Sequence, residues 1–176
     1  VPVMEEFEAT DDTFNTLLRW LYEGRQHVEM LLQTYFLHTH WYRQKEMKDN
    51  FIVDRDIVEH WLFAQKNLTK MPKVWNMYNG LFHQYMNDWQ KPDLYILLDL
   101  SWDEFKKRIF ARGRQSEIDN YYANEEYFKM LISDYLDLMK AQCVIHNIPY
   151  VVIDTNNLNE QQVFEKTVEC IKERNL

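Results

Sequence analysis

Two short apolar runs constrain this chain most: "DLYILLDL" at residues 93–100 and "PYVVID" at 149–154. Each lies between stretches of helical periodicity. Both read as strands, and the first, an unalternating apolar run bounded by Pro92 and "SWDE", as one buried on two faces of a parallel sheet. "VPVM" at the start is a further short β-prone run, and "NFIVDR" at 50–55 reads as a buried strand that ends in charge. Strands alternating with helical stretches predict an α/β domain with a parallel sheet flanked by helices. In such sheets ligands bind beyond the carboxyl ends of the strands. That rule directs attention to Glu5 and Glu6, Asp54 and Arg55, Asp99, and Asp154, which follow the four runs.

The helices between them have readable ends. "DDTFNTLLRWLYEG" opens on capping residues and stops at Gly24. From about residue 25 to 48, Val28, Leu31, Leu32, Tyr35, Phe36, Thr39 and Tyr42 recur at helical spacing and predict one long helix with that set as its core face. Residues 57–68 and 74–89 also read as helices. "SWDEFKKRIFARG" has a serine N-cap and acids in its first turn. One long helix is expected over about 124–146, and a final one from about Asn159.

At 176 residues and 46% hydrophobic, the chain supports one core and is expected to form a single domain over 1–176. A net charge of −8 argues against a broad nucleic-acid or anionic-membrane footprint. No apolar run approaches the roughly 20 residues that span a bilayer. Cys143 and Cys170 lack metal-type spacing and read as buried free thiols in a reducing compartment, and no secretory signal is visible, so a cytoplasmic location is expected. His38 and His40 are two apart and point to different helix faces, which makes them packed or solvated rather than a metal pair. The only glycines are Gly24, Gly80 and Gly113, so these residues contain no glycine-rich phosphate loop.

Against the acidic background, "RIFARGR" at 108–114 gathers three arginines. They are either a solvated helix end that complements the macrodipole or a clamp for a polyanion such as a polyphosphate.

Taken in order, "MEEFE", "LQTYFL", "VDRD" before a helix, "KPDLYILLDLS" and "RIFARGR" resemble the deoxynucleoside kinase family, in particular its bacterial deoxyadenosine and deoxyguanosine kinase branch. The resemblance implies a P-loop-kinase-like parallel sheet with an arginine-rich lid, and transfer of the ATP γ-phosphoryl group to a deoxynucleoside 5′-hydroxyl with Mg2+. It implies Glu6 as general base, with Glu5 the alternative by one residue of register. Tyr22 matches the tyrosine at the sugar 3′-hydroxyl, and Gln33 the glutamine whose amide pairs with the base. Asp54 lies at the position near magnesium, and Arg55 at the one near the 5′-hydroxyl and the catalytic carboxylate. Arg108, Arg112 and Arg114 match the phosphate lid, and Glu117 a sugar contact made as the lid closes. Phe36, Phe63, Trp20 and Tyr35 are pocket candidates by neighbourhood.

Departures from the pattern are Phe7 where proline is common, Asp56 where serine is usual, and His60 where an aspartate often contacts the base. They bear on base preference, which the resemblance gives as purine. It also implies a homodimer, with the long helices at about 25–48 and 124–146 as its faces. The family's phosphate loop would lie one strand, loop and helix ahead of "VPVMEEF", so the expectation is a working kinase whose amino-terminal strand, loop and first helix are absent from these residues. The alternatives are a catalytically inactive kinase-fold subunit that binds or assembles, and a nucleoside monophosphate kinase.

Overall fold

The structure is a computed structural model that describes residues 1–7, 10–25, 27–113 and 115–174, except the side chains of 115–117 and 120. It divides into two units, 1–90 and 91–176. The first contains β1 (Val3–Met4), α1 (Asp12–Tyr22), α2 (Val28–Glu46), β2 (Ile52–Val53), α3 (Ile57–Leu68) and α4 (Pro72–Met86). β1 and β2 pair in parallel, with Val3 opposite Ile52 and Met4 opposite Val53. The ladder is extended by the Asp54 N–H, which donates to the Met4 carbonyl at 2.8 Å.

Short polar side chains start α1 and α3, as their residue types favour. Asp11 accepts from the Phe14 N–H at 2.9 Å to cap α1. Asp56 accepts from the Val58 N–H at 2.9 Å to cap α3, and its other oxygen accepts from the Trp89 indole at 3.1 Å. The aspartate at 56, one departure from the family pattern, is thus a buried helix cap that also holds the Trp89 indole. Gly24 sits at φ 69°, the left-handed conformation that ends a helix without a Cβ penalty.

The expected core face of α2 is only partly right. Val28 and Leu32 are buried, but so are Gln33, Leu37, His40 and Gln44, while Leu31 and Tyr42 are exposed. The helix packs on two sides. Val28 and Leu32 join Phe14 and Leu17 of α1, whereas Leu37 joins Ile57, Ala64 and Leu68 of α3 and Tyr78 and Phe82 of α4. A helix held between neighbours has no single apolar stripe, so the periodicity alone points to the wrong rotation.

The second unit contains β3 (Tyr95–Asp99), α5 (Trp102–Arg112), α6 (Gln115–Ile132), α7 (Tyr135–Ile145), β4 (Tyr150–Asp154) and α8 (Glu160–Glu173). β3 and β4 are parallel and in register from Tyr95 opposite Tyr150 to Asp99 opposite Asp154. Leu97 and Ile153 are buried, but Leu98 is 45% exposed, so β3 is not covered on both faces as the apolar run predicted. Among the described residues its strand partner is β4, and Tyr95 and Ile96 are half-buried.

The single helix expected over 124–146 is two. The chain breaks at Ser133–Asp134, where the Ser133 hydroxyl turns back to the Met130 carbonyl at 2.9 Å and Asp134 takes a left-handed φ of 57°. Serine and aspartate favour such local backbone bonds over continued helix. Cys143 is buried and Cys170 half-buried; both are free, and burial pushes the Cys143 thiol up to about 11. Among the described residues no helix is long and apolar enough to cross a membrane.

Candidate active site

Two clusters hold the residues the sequence singled out, one in each unit. In the first, the parallel strands β1 and β2 end side by side, which brings Glu6 and Arg55 together. An Arg55 Nη donates to the Glu6 carboxylate at 2.8 Å, and Arg55 Nε lies 3.5 Å from Glu59. The two carboxylate side chains are 14% and 12% exposed, and the guanidinium lies over the Phe63 ring at 4.8 Å. Arg55 reaches this position from a backbone at φ 67°, which is costly for a residue with a Cβ. Glu59 is four residues beyond Arg55 on the opening turn of α3, a spacing that was readable in the sequence. The neighbouring Asp54 and the Glu5 side chain are exposed.

The other end of the expected nucleoside site lies on α2. Gln33 is buried, and among the described residues its Oε1 has no hydrogen-bond partner. Tyr22, the last residue of α1, is half-buried. Phe36 stacks on His60 at 5.0 Å between ring centroids, and His60 is within 3.2 Å of His40. His40 is thus packed and His38 exposed, as the two-residue spacing implied.

Sequence reasoning named Tyr35 as a pocket candidate but missed its partner Asp11, and Arg43. Tyr35 donates to Asp11 at 2.6 Å across 24 positions of sequence. Burial raises the Asp11 carboxyl, but the hydrogen bonds from Tyr35 and from the Phe14 and Thr13 N–H groups, with the Arg43 charge, bring it below its ordinary range. Arg43 donates to the Glu5 carbonyl at 2.9 Å. A cavity of about 240 Å³ opens among Glu6, Phe7, Asp11, Phe36, Thr39 and Arg43. It includes neither Tyr22, Gln33 nor Arg55.

The histidine pair makes stability depend on pH. Burial, then the Arg43 charge, lowers His40 to about 4, the Arg55 carbonyl opposing; burial, then His40 and Arg55, drives His60 well below 6.5. Between the ordinary value of 6.5 and about 4 the unfolded chain binds more protons than the folded one. The contribution is therefore fully present above that ordinary value and is lost as pH falls through the window. The thermal midpoint is expected to drop steadily as pH falls below about 6.5. A midpoint unchanged between neutrality and pH ~5 contradicts neutral buried rings.

In the second unit, Ser101 caps α5 and Gly113 ends it at φ 70°. Arg108 is heavily engaged. Its Nε donates to Glu104 at 2.9 Å, Nη1 to the Thr155 hydroxyl at 3.2 Å, and Nη2 to the Thr155 carbonyl. Thr155 in turn donates to the Asp99 carbonyl at 2.9 Å, so the arginine ties α5 to the ends of both strands. The hydrogen bond from Arg108, then that from Lys107, holds the Glu104 carboxyl below its ordinary range. Arg112, one turn on, is exposed. Arg114 and the Glu117 side chain lie outside the described residues.

The deoxynucleoside kinase family profile matches residues 1–174. An uncharacterised protein of Mycoplasma pneumoniae is 30% identical over 99% of this chain and 79% of its own length. A deoxyguanosine kinase of Lactobacillus johnsonii is 35% identical over 73% of this chain and 62% of its own length. A solved structure of a deoxyadenosine kinase from M. mycoides, with dCMP and a flexible dCDP bound, superposes with a TM-score of 0.78. It covers 97% of this chain and 86% of that one at 23% identity, so the likeness is one of fold.

Proposed function

This chain belongs to the deoxynucleoside kinase family, and from that premise we propose that it transfers the γ-phosphoryl group of ATP to the 5′-hydroxyl of a deoxynucleoside, preferring purines. The observation that carries the reading is the Glu6–Arg55 pair at 2.8 Å beyond the carboxyl ends of two parallel strands. Glu6 takes the proton of the 5′-hydroxyl as its oxygen attacks phosphorus, a role that needs a fixed carboxylate within hydrogen-bond reach. Arg55 fixes that carboxylate and offers positive charge where the new phosphate ester forms. The open acceptor of Gln33 suits a donor on the base edge, and the purine preference is supported by the deoxyguanosine and deoxyadenosine kinases among its relatives. Tyr22 and Glu117 hold the sugar.

Arg112 and Arg114 neutralise the phosphates, because planar guanidinium groups bind phosphate oxygens in pairs and do not lose their charge. Asp54, an exposed carboxylate at the end of β2, fits a magnesium ion held mainly by nucleotide oxygens and water. Bound there, the ion would offset charge on the phosphates. The same reading carries a homodimer through α2 and the stretch 124–146, which the structure forms from the end of α6 and from α7 rather than as one helix, a single domain over 1–176 and a cytoplasmic location.

Arg108 and Arg112 separate structure from catalysis. Arg108→Ala is expected to lower the thermal midpoint by several degrees, since it strips Glu104, Thr155 and Leu158 of a shared donor. Arg112→Ala is expected to leave the midpoint within about 2 °C while transfer falls about a hundredfold. The reverse ranking, measured by calorimetry and steady-state kinetics, would return Arg112 to an ordinary helix end. The base reading is tested by titrating the protein with each deoxynucleoside, alone and as Gln33→Ala. Loss of discrimination among bases in the variant supports it, and unchanged discrimination removes Gln33 from the role.

A further inference from the structure

We propose that Arg43 is a positioning residue for Glu6, holding the turn that carries the catalytic carboxylate; this rests on Glu6 being the general base. β1 ends at Met4, so the ladder with β2 does not reach the turn beyond it. Its last rung is the Asp54 N–H on the Met4 carbonyl. The next two carbonyls both face Arg43. One Nη of that side chain donates to the Glu5 carbonyl at 2.9 Å and lies 3.5 Å from the Glu6 carbonyl. Arg43 stands in the last turn of α2, a helix packed on two sides, so the anchor comes from a rigid element.

Glu6 is consequently gripped twice. Arg55 fixes its carboxylate from the β2–α3 turn, and Arg43 fixes its backbone from α2. The two grips do different things. Arg55 orients the acceptor atoms, whereas Arg43 sets how far the Glu6 Cα stands from the strand end. Arg43 and Glu6 also line the same cavity of about 240 Å³. Releasing the Arg43 grip leaves the carboxylate chemically intact but free to drift, and a displacement of an ångström at a reacting group costs about a hundredfold in rate.

The test uses Arg43→Gln, Arg43→Lys and Glu6→Gln in the intact protein. Arg43→Gln is expected to lower kcat tenfold or more while KM for the deoxynucleoside changes less than about threefold. Amide hydrogen exchange over residues 3–7 should quicken about tenfold, with exchange over β3 and β4 unchanged. Arg43→Lys, which keeps a charged donor, should recover most of both. Normal exchange and turnover in Arg43→Gln, alongside a collapse in Glu6→Gln, would overturn the anchoring and leave the base assignment standing. Uniformly faster exchange across residues 1–90, with turnover per folded molecule preserved, would show a merely structural arginine. Full turnover in Glu6→Gln would overturn the base reading itself, and the positioning role with it.

Discussion

Glu6→Gln is expected to lower phosphoryl transfer at least a hundredfold while deoxynucleoside affinity stays within a few-fold of the parent. The amide is nearly isosteric and its oxygen can still accept from Arg55, so the turn after β1 keeps its shape. What the amide cannot do is take a proton as the 5′-hydroxyl oxygen bonds to phosphorus. Glu5→Gln is the matched control, because the Glu5 side chain is exposed and Arg43 reaches only its backbone. Equal losses in both variants would mean a general charge effect, and a loss confined to Glu5→Gln would move the base by one residue.

The second large effect is at Arg55, where the backbone and the side chain pull in opposite directions. Arg55→Gly relieves a left-handed conformation worth about 1 kcal/mol, because glycine accepts φ 67° without a Cβ clash. It also removes the partner of Glu6 and Glu59 and the contact over Phe63. The guanidinium is partly exposed but the carboxylates are largely buried, so its loss leaves them uncompensated. Arg55→Gln loses the same charge, so both variants are expected to be less stable than the parent by more than the ~1 kcal/mol of a surface pair; it also keeps the strain. The glycine variant is therefore expected to be the more stable by about 1 kcal/mol, with transfer down a hundredfold or more in both. Denaturant titration and steady-state kinetics read the two effects separately. A glutamine variant as stable as the glycine one would mean that the turn carries no strain.

Local signals made most of the fold legible. Asp11, Asp56, Ser101 and Asn159 cap the helices they precede, Gly24 and Gly113 end the helices they follow, and all four apolar runs form strands. These features depend on a few adjacent residues, so they are written in the chain itself. Features set by packing were not legible. The rotation of α2 follows from having neighbours on two sides, and the break at Ser133–Asp134 from a side-chain bond that competes with helix only weakly.

The same division runs through the candidate site. The resemblance set Arg55 near the catalytic carboxylate, and the structure gives the physical reason that Glu6 and Arg55 meet: each follows a strand of one parallel pair. The Tyr35–Asp11 and His40–His60 contacts span 24 and 20 positions and carry no local signature. Arg108 looked like its neighbours in "RIFARGR", and only the turn at Thr155, 47 residues on, shows that its donors are engaged. Arg43 was legible as a cation at a helix end, but its hold on the Glu5 carbonyl lies 38 positions away.

The most direct test of the central claim is to incubate the purified protein with ATP, magnesium and each of the four deoxynucleosides, and to quantify the 5′-monophosphates formed. Conversion of deoxyadenosine and deoxyguanosine ahead of deoxycytidine and thymidine, abolished by Glu6→Gln, is the predicted result. Saturable nucleoside binding with no monophosphate from any of the four would contradict it, and would make the chain a binding module built on a kinase fold.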